Sequence, residues 1–226
     1  GRFETEVGAT RKRYQNNPLT TAISDLDSQQ LAGRFFWRVM PRTYLVAEAR
    51  AAVNDYRVGT TNNNTDTRLL AGVTWEATAA TTGTIKLGQQ KKDFDNRARA
   101  DASKATYEAS VEWKPLSYTA FTLRANRAAQ DSVTEGDYNM ANSLALTWSH
   151  QWNQSLSSRV GLSTARAKYV NSDRVDDTTS ASLGVLYGLG RHYTLGLDLV
   201  RTERDSTLAP YNFKRNTVLL SVSAAL

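Results

Sequence analysis

Strict alternation of apolar and polar residues is the feature of this sequence that most restricts its fold. It is clearest in residues 71–76 (AGVTWE), 107–114 (YEASVEWK) and 193–199 (YTLGLDL). A period of two places successive side chains on opposite faces of a β-strand, whereas an amphipathic helix repeats about every 3.6 residues. No apolar run reaches the roughly 18 residues that a transmembrane helix needs. The sequence therefore predicts an all-β chain.

The connections between the alternating segments are of two kinds, which follow one another in turn. The twelve segments begin near Arg2, Gln30, Thr43, Thr67, Gly83, Ser103, Thr119, Asn139, Ser155, Thr178, His192 and Lys214. Short connections lie at 40–42, 79–82, 115–117, 153–154 and 188–191. Longer polar ones lie at 15–29, 59–66, 95–102, 132–138, 171–178 and 206–213. Short turns at one rim and long loops at the other are typical of outer-membrane barrels.

These patterns predict a transmembrane antiparallel up-and-down β-barrel of about 12 strands, with residues 1–226 forming one domain. Pairing of the strand at Arg2 with the strand at Lys214 would close the barrel, as hydrocarbon requires. All four prolines, Pro18, Pro41, Pro115 and Pro210, are expected in connections, where a missing N–H does not interrupt a ladder. The predicted location is the bacterial outer membrane, with both termini in the periplasm.

Aromatic residues recur at the spacing of one hairpin, just before each short turn. They are separated by 38, 38, 35 and 39 residues, and one more follows the last short turn. Such rings prefer the level of the lipid headgroups. The sequence predicts a membrane girdle made of Trp37, Trp75, Trp113, Trp148, Tyr187 and Tyr193. A sandwich core or a propeller is the alternative, but a propeller blade needs four strands per repeat and each repeat here has two.

The residues that alternate with the apolar ones along each strand, and so have the opposite parity, include the charged side chains. These residues are predicted to line the lumen of the barrel. The predicted lining residues are Arg34, Arg38, Glu48, Arg50, Arg68, Glu76, Lys86, Lys92, Glu108, Glu112, Lys114, Arg124, Arg159 and Asp198. A charge facing lipid at the membrane midplane would cost about 2–4 kcal/mol, so this face is expected to be polar and wet. Two interpretations stay open. Nine basic against five acidic residues suit a pore that favours anions, whereas mutual pairing would plug a narrow lumen.

Seven further basic residues, near the long-loop ends of the strands, break this parity: Arg11, Arg13, Lys91, Arg127, Arg166, Lys168 and Arg201. They are expected either to contact lipopolysaccharide phosphates or to be solvated strand ends. The chain has a net charge of +6, but its basic residues do not cluster with stacking aromatics, so nucleic acid is not an expected partner. Cysteine is absent, and neither a metal nor a cofactor is expected.

Catalysis is not expected from the sequence. A barrel hydrolase or acyltransferase needs a base, usually His, near a Ser or Asp. The two histidines, His150 and His192, both lie beside short turns in the expected aromatic girdle. No phosphate-binding loop, dinucleotide fingerprint or metal-ligand spacing is present. The candidates are therefore a channel, a plugged structural barrel and, third, an enzyme acting on lipid.

The C-terminal hairpin carries a family resemblance. Residues 201–206 (RTERDS) and 211–222 (YNFKRNTVLLSV) resemble the last hairpin of the β-barrel porins associated with exopolysaccharide export and exosortase loci. That resemblance implies a conduit for a polysaccharide across the outer membrane, with possible periplasmic export partners. An acidic polysaccharide or oligosaccharide would suit a lumen rich in Arg and Lys. One departure is the ending at 224–226 (AAL), where such barrels usually end in an aromatic residue.

Overall fold

The computed structural model describes residues 1–78, 80–190 and 192–224, and these ranges form one antiparallel sheet. The order of the strands in the sheet is their order in the chain, so the predicted up-and-down topology and the count of twelve strands are confirmed. The strands are β1 (Arg2–Lys12), β2 (Leu26–Met40), β3 (Thr43–Tyr56), β4 (Asn64–Thr78), β5 (Thr81–Phe94), β6 (Ala102–Leu116), β7 (Thr119–Asp131), β8 (Tyr138–Gln151), β9 (Leu156–Tyr169), β10 (Val175–Leu189), β11 (Tyr193–Ser206) and β12 (Phe213–Ala224).

The connections alternate in length as predicted. The long ones contain a single turn of helix, α1 (Pro18–Thr21), and three 3₁₀ turns at Ala22–Ser24, Thr60–Asn62 and Ala209–Tyr211. Within the described ranges, no helix is long and apolar enough to cross a membrane. Two predicted short turns and the predicted chain ending each include residues outside the described ranges, namely Ala79, Arg191, Ala225 and Leu226.

Pro115 is not in a connection, which corrects the prediction. It lies inside β6, between Trp113 and Leu116, where the register with β7 shifts. An irregularity of this kind leaves a position without a ladder hydrogen bond, and a proline fits there without loss.

The sheet has two chemically different faces. Directly paired residues of neighbouring strands point to the same side, so the register assigns each residue to a face. We call the side of Arg34 and Glu48 the inner face, and the side of Trp37 and Leu69 the outer face. Large apolar side chains stay exposed on the outer face; Leu69, for example, is 60% exposed. An apolar surface of this extent is unusual for a soluble protein and indicates contact with lipid.

The inner face is concave. Arg50 of β3 lies 2.6 Å from Glu108 of β6, although β4 and β5 lie between these strands. Three strand spacings in a flat sheet amount to about 14 Å between backbones, which is more than an Arg–Glu contact spans. The sheet therefore curls around its charged face.

The predicted pairing between the strand at Arg2 and the strand at Lys214 is not present in the described part of the chain. β1 pairs only with β2 and β12 only with β11, so these two strands form the edges of an open sheet. The alternation of residues determines which face a side chain occupies. Closure depends in addition on the stagger between neighbouring strands, which alternation does not encode.

Candidate functional site

The register places twelve of the fourteen predicted lining residues on the inner face, and contacts with that face place the other two, Glu76 and Lys114, on the same side. Arg34 pairs with Glu48 near one edge, while Arg159 and Asp198 both pair with Gly184 near the other. The intervening pairs keep the same side through β3 to β9. The single polar parity of the sequence thus forms one continuous charged surface across ten strands.

The six predicted girdle residues lie on the opposite, outer face at the short-turn end. Trp113 stacks on Phe121 with ring centroids 5.4 Å apart. His150 lies among the same aromatics, with its ring centroid 5.6 Å from Trp148 and 4.3 Å from Trp152. A polar residue among aromatic rings is typical of a membrane interface.

A central cluster of five charged residues occupies the middle of the inner face: Arg34, Glu48, Arg50, Lys86 and Glu108. The fully enclosed Glu48 side chain accepts from Arg34 at 2.8 Å, from Arg50 at 2.5 Å and from Lys86 at 2.7 Å. Glu108 is 2.6 Å from Arg50 and 2.7 Å from Lys86. Arg34 also lies 2.9 Å from a third acid, Glu6 of β1. The cluster therefore has no net charge when Glu6 is counted with its three cations and two acids.

A second group, the rim cluster, lies nearer the long loops and consists of Tyr56, Asn64, Asp66, Lys92 and Asp131. The buried Lys92 ammonium is 2.6 Å from Asp131, 3.2 Å from Asp66 and 2.9 Å from Asn64. The Tyr56 hydroxyl donates to Asp131 at 2.8 Å. Asp131 therefore accepts hydrogen bonds from three strands that do not adjoin its own.

The end of β7, residues 128–131, crosses the inner face, and we call it the crossing segment. Ladder pairing of β7 with β6 ends at Arg127, whereas pairing with β8 continues to Asp131, so β8 accompanies the segment. Beyond Arg127 the backbone of Ala129 hydrogen-bonds instead to the Gln90 side chain of β5. Gln90 donates to the Ala129 carbonyl at 2.9 Å and accepts from the Ala129 N–H at 2.7 Å. Because Asp131 then reaches β3, the crossing segment spans the space above β4 to β6 and narrows it.

An apolar cluster and a loop contact hold the crossing segment in place. Phe94, Ala102, Ala129, Tyr138 and Met140 are buried together at this end of β5 to β8. The Arg99 guanidinium, in the preceding long loop, donates to the carbonyl oxygens of residues 132, 136 and 137 beyond the segment. The segment is therefore fixed from both sides.

The long-loop rim is braced elsewhere by Arg174, in the loop between β9 and β10. Its guanidinium lies 3.3 Å from the Tyr211 ring centroid and 2.6 Å from the Asp176 carboxylate. Burial, the largest single influence, would lower the pKa of Arg174, but the hydrogen bonds to Asp176 and the electrostatic attraction of Tyr169, Asp176 and Tyr211 together raise it. This contact joins the last two long loops to each other.

Two cavities lie on the inner face on either side of the central cluster. One, of about 580 Å³, is bounded by Arg50, Arg68 and Asp131 toward the long loops. The other, of about 470 Å³, is bounded by Glu76 and Lys86 toward the short turns. Arg34 borders both cavities. The central cluster is thus the constriction between two polar spaces.

Most of the other predicted lining residues are paired as well. Arg68 is 3.2 Å from Asp66, Glu112 is 2.6 Å from Lys114, and the longer Arg159–Asp198 pair measures 3.4 Å. Among the described side chains of the inner face, six exposed cations and one acid make no ion pair; they are Lys12, Arg38, Arg42, Lys104, Arg124, Arg215 and Glu76. The charge that stays available to a solute is therefore positive.

Several residues of this site were not predicted as lining residues: Tyr56, Asn64, Asp66 and Asp131. Asp66 follows the polar parity of β4 and could have been included on that ground. Tyr56, the last residue of β3, follows the polar parity as well. Asp131 has the parity of the outer face, so alternation gives no signal for its contacts on the inner face. Across the described ranges, no group of three His, Cys, Asp or Glu side chains is arranged to hold a metal ion.

An apolar outer face, an aromatic rim and a charged concave inner face define an outer-membrane β-barrel protein of the porin type. The sequence profile of the family described as "Putative beta-barrel porin 2" matches residues 2–226. The chain belongs to this family, and its location is the bacterial outer membrane. A search of curated proteins found no match.

Solved outer-membrane proteins share the fold at low sequence identity. The channel DcaP of Acinetobacter baumannii is 12% identical, with 99% of this chain and 71% of DcaP covered at a TM-score of 0.62. The FrpB iron transporter of Neisseria meningitidis is 11% identical, and the match covers 83% of this chain and 37% of FrpB at a TM-score of 0.58. A loop L8 deletion mutant of OmpT, an outer membrane protein of Vibrio cholerae, is 10% identical, and the match covers 98% of this chain and 75% of that mutant at a TM-score of 0.54. The chain thus spans little more than a third of the length of FrpB.

Proposed function

We propose that the protein is an outer-membrane channel that passes hydrophilic, predominantly anionic solutes along its inner face. The observation that carries this proposal is the surplus of unpaired cations over unpaired acids on that face. Arg38 and Arg124 lie in one lateral row of the sheet, joined pair by pair through β3 to β6. A row of fixed positive charge favours the entry of anions over cations.

The solute class that suits this face is an acidic saccharide. Guanidinium groups bind carboxylates through two parallel hydrogen bonds, and neutral hydroxyl and amide side chains between them suit the hydroxyl groups of sugars. The resemblance of the C-terminal hairpin to porins linked with polysaccharide export supports the same class. An extended chain would have to pass the central cluster, where Arg34 borders both cavities.

The orientation we propose places the short turns and both termini in the periplasm. Short periplasmic turns and long extracellular loops are the rule for bacterial barrels. Export partners would then meet the rim at Pro41–Arg42 and at Ser117–Tyr118, where two of the short turns lie.

A plugged structural barrel is the second candidate, and one observation favours it. The crossing segment and the neutral central cluster together occupy the inner face at two levels. If both stay in place in the membrane, the passage between the two cavities is closed to all but small solutes.

Swelling of proteoliposomes in sugar solutions tests the proposed solute preference. We expect faster entry of an acidic oligosaccharide than of a neutral one of equal length. The double variant Arg38→Gln/Arg124→Gln should reduce that preference several-fold and leave neutral entry unchanged. Lys91→Gln is the control, because Lys91 lies on the outer face beside Asp93 at 2.8 Å. Equal entry of both sugars would contradict the anion preference, and no entry of either would favour the plugged barrel.

A further inference from the structure

The outer face carries basic residues in two different situations. Of the seven that break the parity, five lie within ion-pair distance of an acid: Arg11 and Arg13 with Asp27, Lys91 with Asp93, Arg166 with Asp177, and Arg201 with Glu203. Three of the seven, Arg127, Arg166 and Lys168, lie close together on β7 and β9. We call these three the basic patch.

The two arginines of the basic patch lie on either side of one residue of β8, Asn142. Arg127 and Arg166 both pair with Asn142, so their backbones lie about 10 Å apart, on either side of it. The Arg127 guanidinium donates to the Asn142 amide oxygen at 3.2 Å. Both arginine side chains are long enough to converge on one anion placed above Asn142.

The acids near the patch do not neutralise it. The Arg166 side chain is 66% exposed and lies 3.7 Å from Asp177, which is itself 55% exposed. A pair as open as this contributes little and exchanges readily with another anion. Lys168, also exposed, has no ion-pair partner in the part of the chain that the structure describes.

An apolar groove of about 590 Å³ begins directly below the patch, on the side of the short turns. Leu123, Leu144, Leu146 and Leu162 form its apolar lining, and the ion pair of Arg201 and Glu203 lies at its far side. Leu144, at its upper end, is two positions along β8 from Asn142 and therefore points to the same face. A second outer groove, on β2 to β5, is lined without any charged side chain. The groove below the basic patch therefore has cations next to it, whereas the groove on β2 to β5 has none in its lining.

We propose that the basic patch and the groove below it form a binding site for a phosphorylated membrane lipid. Arg127 and Arg166 hold the phosphate from two sides, Lys168 adds a third positive charge, and an acyl chain lies along the leucine groove. Arginine suits this role because its planar guanidinium matches two phosphate oxygens at once. The site lies on the outer face, so it is independent of the proposed channel.

The test is binding of lipid to the purified protein in detergent, measured by native mass spectrometry. The probes are a bisphosphorylated lipid A, the same lipid without its phosphates, and inorganic phosphate alone. The triple variant Arg127→Gln/Arg166→Gln/Lys168→Gln should bind the phosphorylated lipid more weakly by a factor of roughly ten or more. The matched control Arg11→Gln/Arg13→Gln/Lys91→Gln removes the same charge from the same rim and should bind as the native protein does.

Three results would overturn the proposal. The first is an equal loss of binding in the triple variant and its control, because it would reveal only attraction to net charge. The second is equal binding of the lipid with and without phosphates, and the third is inorganic phosphate binding as tightly as the lipid. If the triple variant does not fold, Arg166→Gln alone gives the same comparison, since that exposed side chain has little role in packing. Conductance should not change in any of these variants, which separates this test from that of the channel.

Discussion

Replacement of Asp131 by Ala is expected to raise the single-channel conductance several-fold. Asp131 accepts hydrogen bonds from Tyr56, Asn64 and Lys92, and these bonds hold the crossing segment over the inner face. Without them the segment can move back toward β6 and widen the space between the strands. Lys92 keeps its contact with Asp66 at 3.2 Å, so the substitution does not leave a buried charge without a partner.

Two further variants define this experiment. Gln90→Ala removes both hydrogen bonds to Ala129 and should raise conductance in the same direction by an independent route. Asp55→Ala removes an equal charge from the position next to Tyr56, but on the outer face, and should leave conductance unchanged. An unchanged conductance in both Asp131→Ala and Gln90→Ala would mean that the crossing segment does not limit passage.

Replacement of Glu48 by Gln is expected to have the largest effect on ion selectivity. It removes the carboxylate that Arg34, Arg50 and Lys86 share, so the constriction between the two cavities becomes positive. Anion permeability relative to cation permeability should rise several-fold in bilayer recordings under a salt gradient. The same change should lower the free energy of unfolding by about 3–5 kcal/mol, because it breaks an enclosed ion-pair network.

Glu112→Gln is the matched control for this substitution. Glu112 lies on the same face, is 36% exposed and contacts Lys114 at 2.6 Å, so its removal changes the charge by the same amount away from the constriction. We expect a small shift in selectivity and little loss of stability from so exposed a pair. Equal effects of the two substitutions would show that total charge on the face, and not the central cluster, controls permeation.

The sequence predicts the strands well because each one carries its own signal. An exposed apolar outer face and a polar inner face force period-two alternation in every strand. The predicted and observed first residues coincide for the strands at Arg2, Thr43 and Thr119. At Thr178 the structure begins three residues earlier, at Val175, where acidic residues at the loop boundary weaken the pattern.

The contacts between distant strands could not be predicted in this way. Arg50 and Glu108 are 58 residues apart in the chain, and Tyr56 and Asp131 are 75 apart. Alternation places Arg50, Tyr56 and Glu108 on the inner face but assigns Asp131, which pairs with Tyr138, to the parity of the outer face. The curvature that brings them together depends on stagger and packing summed over several strands. Both the open edges of the sheet and the crossing segment follow from that curvature.

The same limit explains why a count of charges was an incomplete guide to the inner face. The sequence suggested an excess of basic residues among the predicted lining residues. Pairing within the central and rim clusters neutralises most of them, and the unpaired set on this face consists of six cations and one acid. The direction of the bias is the same, but it is carried by residues outside the central cluster: Lys12, Arg38, Arg42, Lys104, Arg124 and Arg215.

Single-channel recording in a planar bilayer, with the reversal potential taken under a KCl gradient, tests directly whether the protein is a channel biased toward anions. We expect a steady current of low conductance whose reversal potential has the sign of chloride preference. That preference should weaken in Arg38→Gln/Arg124→Gln and strengthen in Glu48→Gln. A protein that is demonstrably folded in the bilayer and passes no current, or that prefers potassium, would contradict a channel biased toward anions.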